Sequence, residues 1–291
     1  MLRRGPGGRL AGGRVGRDRP GQRGGPAGLS GRLRPASPAV AGTQTASAQT
    51  AGSQTSATQT AVAQTAVTAR QAPARALTAP RPPTAFVVNS GGTVTPIGLT
   101  ARRAGKPIKV GASPQAIAIT PDVRTAYVAN YGSNSVTPIS TATGRPGPAV
   151  PVGQAPDSLA VTPGSAKVFV TGGDSDTVTA ITAATGRAGP GIRVGYSPSA
   201  VAVSPSGGTA YVVNTISGTL TPVSTATGVA GRATRTGIYT YPTAIELTPS
   251  GATAVVIGTY AGRATLVSTR TGKVTARITV GLYPVAVAIA R

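Results

Sequence analysis

Residues 112–153 read ASPQAIAITPDVRTAYVANYGSNSVTPISTATGRPGPAVPVG, and the same order of residue types returns at 154–195, 196–237 and 238–281. The four spans are 42, 42, 42 and 44 residues long. A period near 40 with several short strands per unit marks a propeller blade or a related β-array. The chain is therefore expected to be an all-β β-propeller built from four-stranded blades.

Within each unit the strands can be placed. Strand A follows a Gly-x-x-Pro turn at 116–119, 158–161, 200–203 and 244–247, where larger apolar residues alternate with small ones. That alternation suits a strand wedged near the propeller axis, where neighbouring sheets converge. A Pro-containing turn leads to strand B, at 126–130 in the first copy. Strand C, at 136–139, carries a proline in its middle, and Pro96, Pro138 and Pro222 repeat the position. Proline cannot donate to a ladder, so a bulge or a missing ladder bond is expected there. A Thr-Gly turn then opens outer strand D, which ends at Gly153, Gly195, Gly237 or Gly281.

The two ends of the repeat region complement each other. Residues 84–111 carry strands B, C and D without an A, and LYPVAVAIA at 282–290 is a lone strand A. Joined, they make one composite blade and a ring of five, closed by pairing of the C-terminal strand with the N-terminal ones. The expected organisation is an arm over 1–83 and a propeller over 84–291. Its blades are 282–291 with 84–111, then 112–153, 154–195, 196–237 and 238–281. Closure would remove the sheet edges that invite aggregation.

The arm has nothing to bury. Residues 1–35 are mostly Gly, Arg and Pro, and residues 43–67 repeat Gln every five positions at 44, 49, 54, 59 and 64. Such segments do not offset their ordering entropy and are expected to be disordered. No apolar core of a secretory signal follows the basic start, and no apolar run approaches the length of a membrane span.

Composition limits the chemistry. There is no cysteine and no histidine, and six acids stand against 28 basic residues for a net charge of +22. Cysteine-based metal, disulfide or redox sites are excluded, and the commonest general base is missing. No catalytic residue, metal or cofactor is expected. Asp174 and Asp176 share a loop, but two carboxylates fall short of the six to eight oxygens a calcium ion takes.

The segments Phe86-Val87-Val88-Asn89, Tyr127-Val128-Ala129-Asn130 and Tyr211-Val212-Val213-Asn214 resemble the signature of YVTN-type β-propeller repeats. The resemblance runs from 84 to 291, with Gly172 and Gly258 departing at the signature Asn. It implies envelope or surface-layer proteins outside the cytoplasm, lactonase-like cousins, and rings that usually hold seven blades.

Candidate binding residues follow from propeller geometry, which gathers the D–A and B–C loops on one face. Tyr196, Tyr239, Tyr241 and Tyr283 fall in D–A loops, and Tyr131 and Tyr260 in B–C loops. Tyrosine joins flat apolar area to a polar tip, which suits a glycan or protein partner, or else caps the axial channel. Glu246 interrupts a row of alanines in strand A (Ala118, Ala160, Ala202, Ala288), as a channel-lining or ion-paired group or as an ion ligand. The Asn closing strand B is expected to bond loop backbone. Twelve of the sixteen basic residues after position 83 lie on or beside strand D, among them Arg102, Arg103, Lys106, Lys109, Arg193, Arg235 and Arg277. They either guard the outer edge or form a rim for a polyanion, nucleic acid or wall polymer. The sequence thus leads to a monomeric, non-enzymatic binding propeller of the cell envelope. Polyanion binding is the alternative, and a lactonase-like enzyme is disfavoured.

Overall fold

The computed structural model describes residues 82–237 and 241–290. The arm up to position 81, the insertion at 238–240 with Tyr239, and Arg291 lie outside the described residues. The rest is all-β, five antiparallel sheets and one 3-10 turn. The first sheet comprises β1 (Thr84–Asn89), β2 (Thr93–Gly98), β3 (Arg103–Ala104) and β4 (Ile108–Lys109). The second comprises β5 (Pro114–Ile119), β6 (Thr125–Asn130), β7 (Ser135–Ser140) and β8 (Val150–Pro151). The third holds β9 (Pro156–Val161), β10 (Lys167–Gly172), β11 (Thr177–Thr182) and β12 (Arg187–Arg193). The fourth holds β13 (Pro198–Val203), β14 (Thr209–Asn214), β15 (Thr219–Ser224) and β16 (Thr234–Arg235). The fifth holds β17 (Pro242–Leu247), β18 (Thr253–Gly258), β19 (Arg263–Ser268) and β20 (Val274–Thr279).

Each complete sheet runs A-B-C-D in order, and strand A of one neighbours strand A of the next: β5 by β9, β9 by β13, β13 by β17. This is the inner-to-outer order of a propeller blade. The core lies between sheets. Strand B is buried on both faces, so its alternate residues serve two different interfaces. Phe169 of β10 packs on Val201 and Val212 of the fourth sheet, while Val168 and Val170 pack on Ala116 and Tyr127 of the second.

Tyr127 is buried in that interface. Burial first, and the Asp122 carboxylate second, push its hydroxyl above the ordinary value of 10.0. A raised folded-state value means that stability is undiminished below about pH 10 and falls as pH rises through the folded value. Tyr127→Phe, which copies Phe86 and Phe169 at the equivalent position, is expected to blunt that alkaline loss. Urea unfolding between about pH 8 and pH 11 reads it, and an identical alkaline limb in the variant would refute it.

The prolines of strand C act as expected, but on one side only. The B–C ladder runs through them without a shift, Tyr127 opposite Pro138 and Tyr211 opposite Pro222. The loss is on the D side. Where strand C carries Pro96, Pro138 or Pro222, the ladder strand β4, β8 or β16 has two residues; where it carries Ala180 or Leu266, β12 and β20 have seven and six. Each proline carbonyl instead accepts from a glycine N–H nine residues on (Gly105, Gly147, Gly231) at 2.7 Å. A Cβ on those glycines would stand 3.0–3.2 Å from the proline ring.

Ring closure, expected from the phase of the repeat, is not formed. Residues 282–290 are in no ladder, and among the described residues β1 pairs with β2 alone. The reason is where the tail is held. The Thr259 hydroxyl donates to the Pro284 carbonyl at 3.0 Å, and Val287 packs against Ala244, Ile257 and Ala264 of the fifth sheet. The tail thus takes the place a fifth strand A would take, next after β17, without pairing with β1.

Candidate functional site

Backbone bonds bring the D–A and B–C loops to one end of each sheet. Tyr131 N–H donates to Ser113 O, Gly173 to Ala155 O, Thr215 to Ser197 O and Thr259 to Tyr241 O, all at 2.9–3.2 Å. The residue before the strand A proline is left-handed in all five copies: Ser113, Ala155, Ser197, Tyr241 and Tyr283, with φ between 42° and 53°. Serine or alanine there is a modest strain; two tyrosines are unusual, since a Cβ in this region costs about 1–2 kcal/mol. The strain sits where the side chains gather, a pattern associated with functional sites.

Those two tyrosines flank Tyr260. The Tyr241 and Tyr260 ring centroids lie 4.8 Å apart at 84°, and those of Tyr260 and Tyr283 lie 6.1 Å apart at 83°. All three are exposed. The result is a ridge of three edge-on rings, apolar in its faces and polar at its hydroxyl tips. Tyr196 is also exposed, at the same end of the fourth sheet, with no ring contact to the trio. Tyr131 is half-buried on the second sheet, away from them. Glu246 is half-buried within β17, opposite Val255 and roughly 13 Å along the strand from Pro242, so it does not join the ridge. Tyr241→Gly should relieve the left-handed backbone and raise stability by up to about 1 kcal/mol, while removing one edge of the ridge. A lower unfolding midpoint would instead make the ring a structural clamp on its turn.

The signature Asn behaves differently from expectation. Asn130 Nδ2 donates to the Ser135 and Thr137 hydroxyls, Asn214 to those of Thr219 and Thr221, and Asn89 to those of Thr93 and Thr95. The partners are thus mainly strand C side chains, because the Asn side chain points along the sheet rather than into the turn. Asp176, weighed above as a calcium ligand, is left-handed at φ 57°, and its carboxylate accepts the Ser197 N–H at 2.9 Å. Asn134 does the same for Ala155. Both tie a loop to the next blade.

A row of polar residues on successive strands A is absent from the sequence expectations. Every strand A is shifted by one residue against its strand B just after the proline. The extra residue is Gln115, Asp157, Ser199 or Thr243. Such bulges re-aim a side chain. Ser199 pairs with Thr215 and Thr243 with Thr259, each at 2.6 Å. The polar residue two after Pro-1 in an otherwise apolar strand was the available signal.

The basic residues of the rim are exposed at all seven candidate positions, Arg102, Arg103, Lys106, Lys109, Arg193, Arg235 and Arg277. Arg277 Nε donates to Thr236 O at 3.4 Å. Two open grooves of about 460 and 620 Å³ run along the outer strands, the first beside Lys109 and Asn134, and neither includes a tyrosine of the ridge.

Fold and loop geometry together define a β-propeller. No protein-family model matches the sequence, and no curated protein does. Solved structures are similar in fold. A functionally unknown protein from Desulfotomaculum acetoxidans superposes with a TM-score of 0.62 at 18% identity, over 72% of this chain and 69% of that one. Virginiamycin B lyase from Staphylococcus aureus gives 0.59 at 12% identity, over 72% and 71%. Hydrazine synthase of Kuenenia stuttgartiensis gives 0.51 at 16%, over 70% and 85%.

Proposed function

We propose that the chain is a non-enzymatic binding propeller of YVTN type, placed outside the cytoplasm at the cell envelope, whose tyrosine ridge holds a glycan chain or a protein partner. The observation that carries this reading is the Tyr241–Tyr260–Tyr283 ridge, exposed and built in part on strained backbone. A rigid sheet array presents the rings, and loop side chains set what they grip. Flat rings with hydroxyl tips stack on sugar faces and bond their hydroxyls at small entropic cost. Titration of the purified chain with cell-wall polysaccharide fragments, followed by tyrosine fluorescence, tests it. Saturable quenching supports the reading. Absence of any response to fragments and to envelope protein extracts overturns it. Lactone- and lyase-type turnover stays the disfavoured reading because the chain has no histidine.

A second reading rests on the exposed rim, where all seven candidate cations face solvent. If the rim binds a polyanion, affinity for duplex DNA or a teichoic-type polymer falls log-linearly with salt, by roughly 0.9 per phosphate neutralised. A flat salt response removes this reading.

A further inference from the structure

Among the described residues, two sheet edges match each other and are unmet. The first is that of β1. Val87 on it is 42% exposed, whereas its counterparts Val128, Val170, Val212 and Val256 are 0–1% exposed beneath their strand A and the next blade. The second is the tail. Tyr283 is left-handed like the four residues that precede the other strand A prolines. Its Thr259–Pro284 bond at 3.0 Å repeats the Thr215–Pro242 bond at 2.8 Å one blade earlier. Val287 packs on the fifth sheet as Ile245 packs on the fourth. Conformation and seat are those of a strand A, yet Val285 and Leu282 are 54% and 90% exposed.

These edges also lack the usual protection. The outer strands carry arginine and lysine, which deter strand addition. Neither β1 (TAFVVN) nor 282–290 (LYPVAVAIA) has a charged residue. An unprotected apolar edge is a template for pairing with another chain.

We infer that the tail of one copy, still seated on its own fifth sheet, completes the first sheet of a second copy, joining the chains head to tail. The occupant is a second copy because the chain itself supplies both halves, in register, while leaving them unpaired. The register follows from the complete blades, where Pro114 faces Asn130, Ala116 faces Ala129 and Ile117 faces Val128. It places Pro284 opposite Asn89, Ala286 opposite Val88 and Val287 opposite Val87 of the second copy. The one-residue bulge falls at Val285. Because the two surfaces differ, the contact is heterologous and closes into a ring or continues as an open array according to the blade angle. This departs from the monomer expected of the sequence.

The chain contains no cysteine, so engineered thiols report without background. Val87→Cys and Val287→Cys are made on separate, differently tagged chains, mixed and oxidised. Facing residues of antiparallel strands lie about 4.5–5.5 Å apart at Cα, within disulfide reach. A disulfide joining the two tags is the expected result, and neither variant alone should cross-link comparably. In the chain carrying both cysteines, a dimer or ladder of covalent species supports the junction. An internal disulfide at monomer mass overturns it in favour of closure within one chain. Sedimentation of the unsubstituted chain guards against a folding defect in the variants. A mass that rises with concentration supports the inference, and a monomer at every concentration overturns it.

Discussion

Tyr260→Ala is expected to lower affinity for the glycan or protein partner about thirty-fold, the effect of removing an anchor contributing about 2 kcal/mol. Tyr260 is the middle ring, in edge contact with both neighbours, so its loss separates the ridge into two isolated side chains. It is exposed and lies at a loop, so the unfolding midpoint should stay nearly unchanged. Calorimetric titration beside thermal unfolding reads both. Equal loss of stability and binding would show the trio to be a packing cluster. Unchanged binding would place the partner elsewhere, the basic rim being next in line.

The second large effect lies between blades. The glycines that follow the outer strands at 111, 153 and 195 each pack against the residue that ends strand B of the following blade. A Cβ on Gly195 would come within 2.8 Å of Asn214 Cβ and Cγ, and one on Gly111 within 2.6 Å of Asn130 Cγ. Both asparagines are fully buried. Gly195→Ala is therefore expected to cost about 1–3 kcal/mol, because overpacking forces a rotamer or a sheet to shift. For a domain of this size the midpoint falls by roughly 2–4 °C per kcal/mol. Adding Asn214→Gly should make the double variant less damaging than the sum of its parts, since the offending atoms are gone. Thermal unfolding of the four proteins of the cycle measures this, and strict additivity would refute the contact.

Much of this structure can be read from the repeat. The strands of the blades, the outer place of strand D and the damage done by Pro96, Pro138 and Pro222 follow from period and residue type. Three things are not legible, each for a physical reason. The bulges at Gln115, Asp157, Ser199 and Thr243 depend on how strand A meets the loop, and they break a strict alternation that hydrophobicity alone obscures. The Asn130 and Asn214 partners lie across the ladder, five and seven residues away, where side-chain direction decides. Ring closure fails to follow because sequence phase counts blades but carries no information on the angle between them. Of the tyrosines, loop position assigns all six to one face without marking Tyr241, Tyr260 and Tyr283 as neighbours. It does not separate them from Tyr131, which sits at the same end of a more distant sheet.

Every tie between sheets noted above joins one blade to the next in sequence: Asn134 to Ala155, Asp176 to Ser197, Thr215 to Pro242, Thr259 to Pro284. A load applied across the blades would therefore meet these nearest-neighbour ties among the described residues one after another. It would peel the molecule one unit at a time, each releasing on the order of 140 Å of extended polypeptide. A molecule so connected behaves as a string of small shock absorbers, and gain or loss of a unit by recombination would change its reach without disturbing the units that remain.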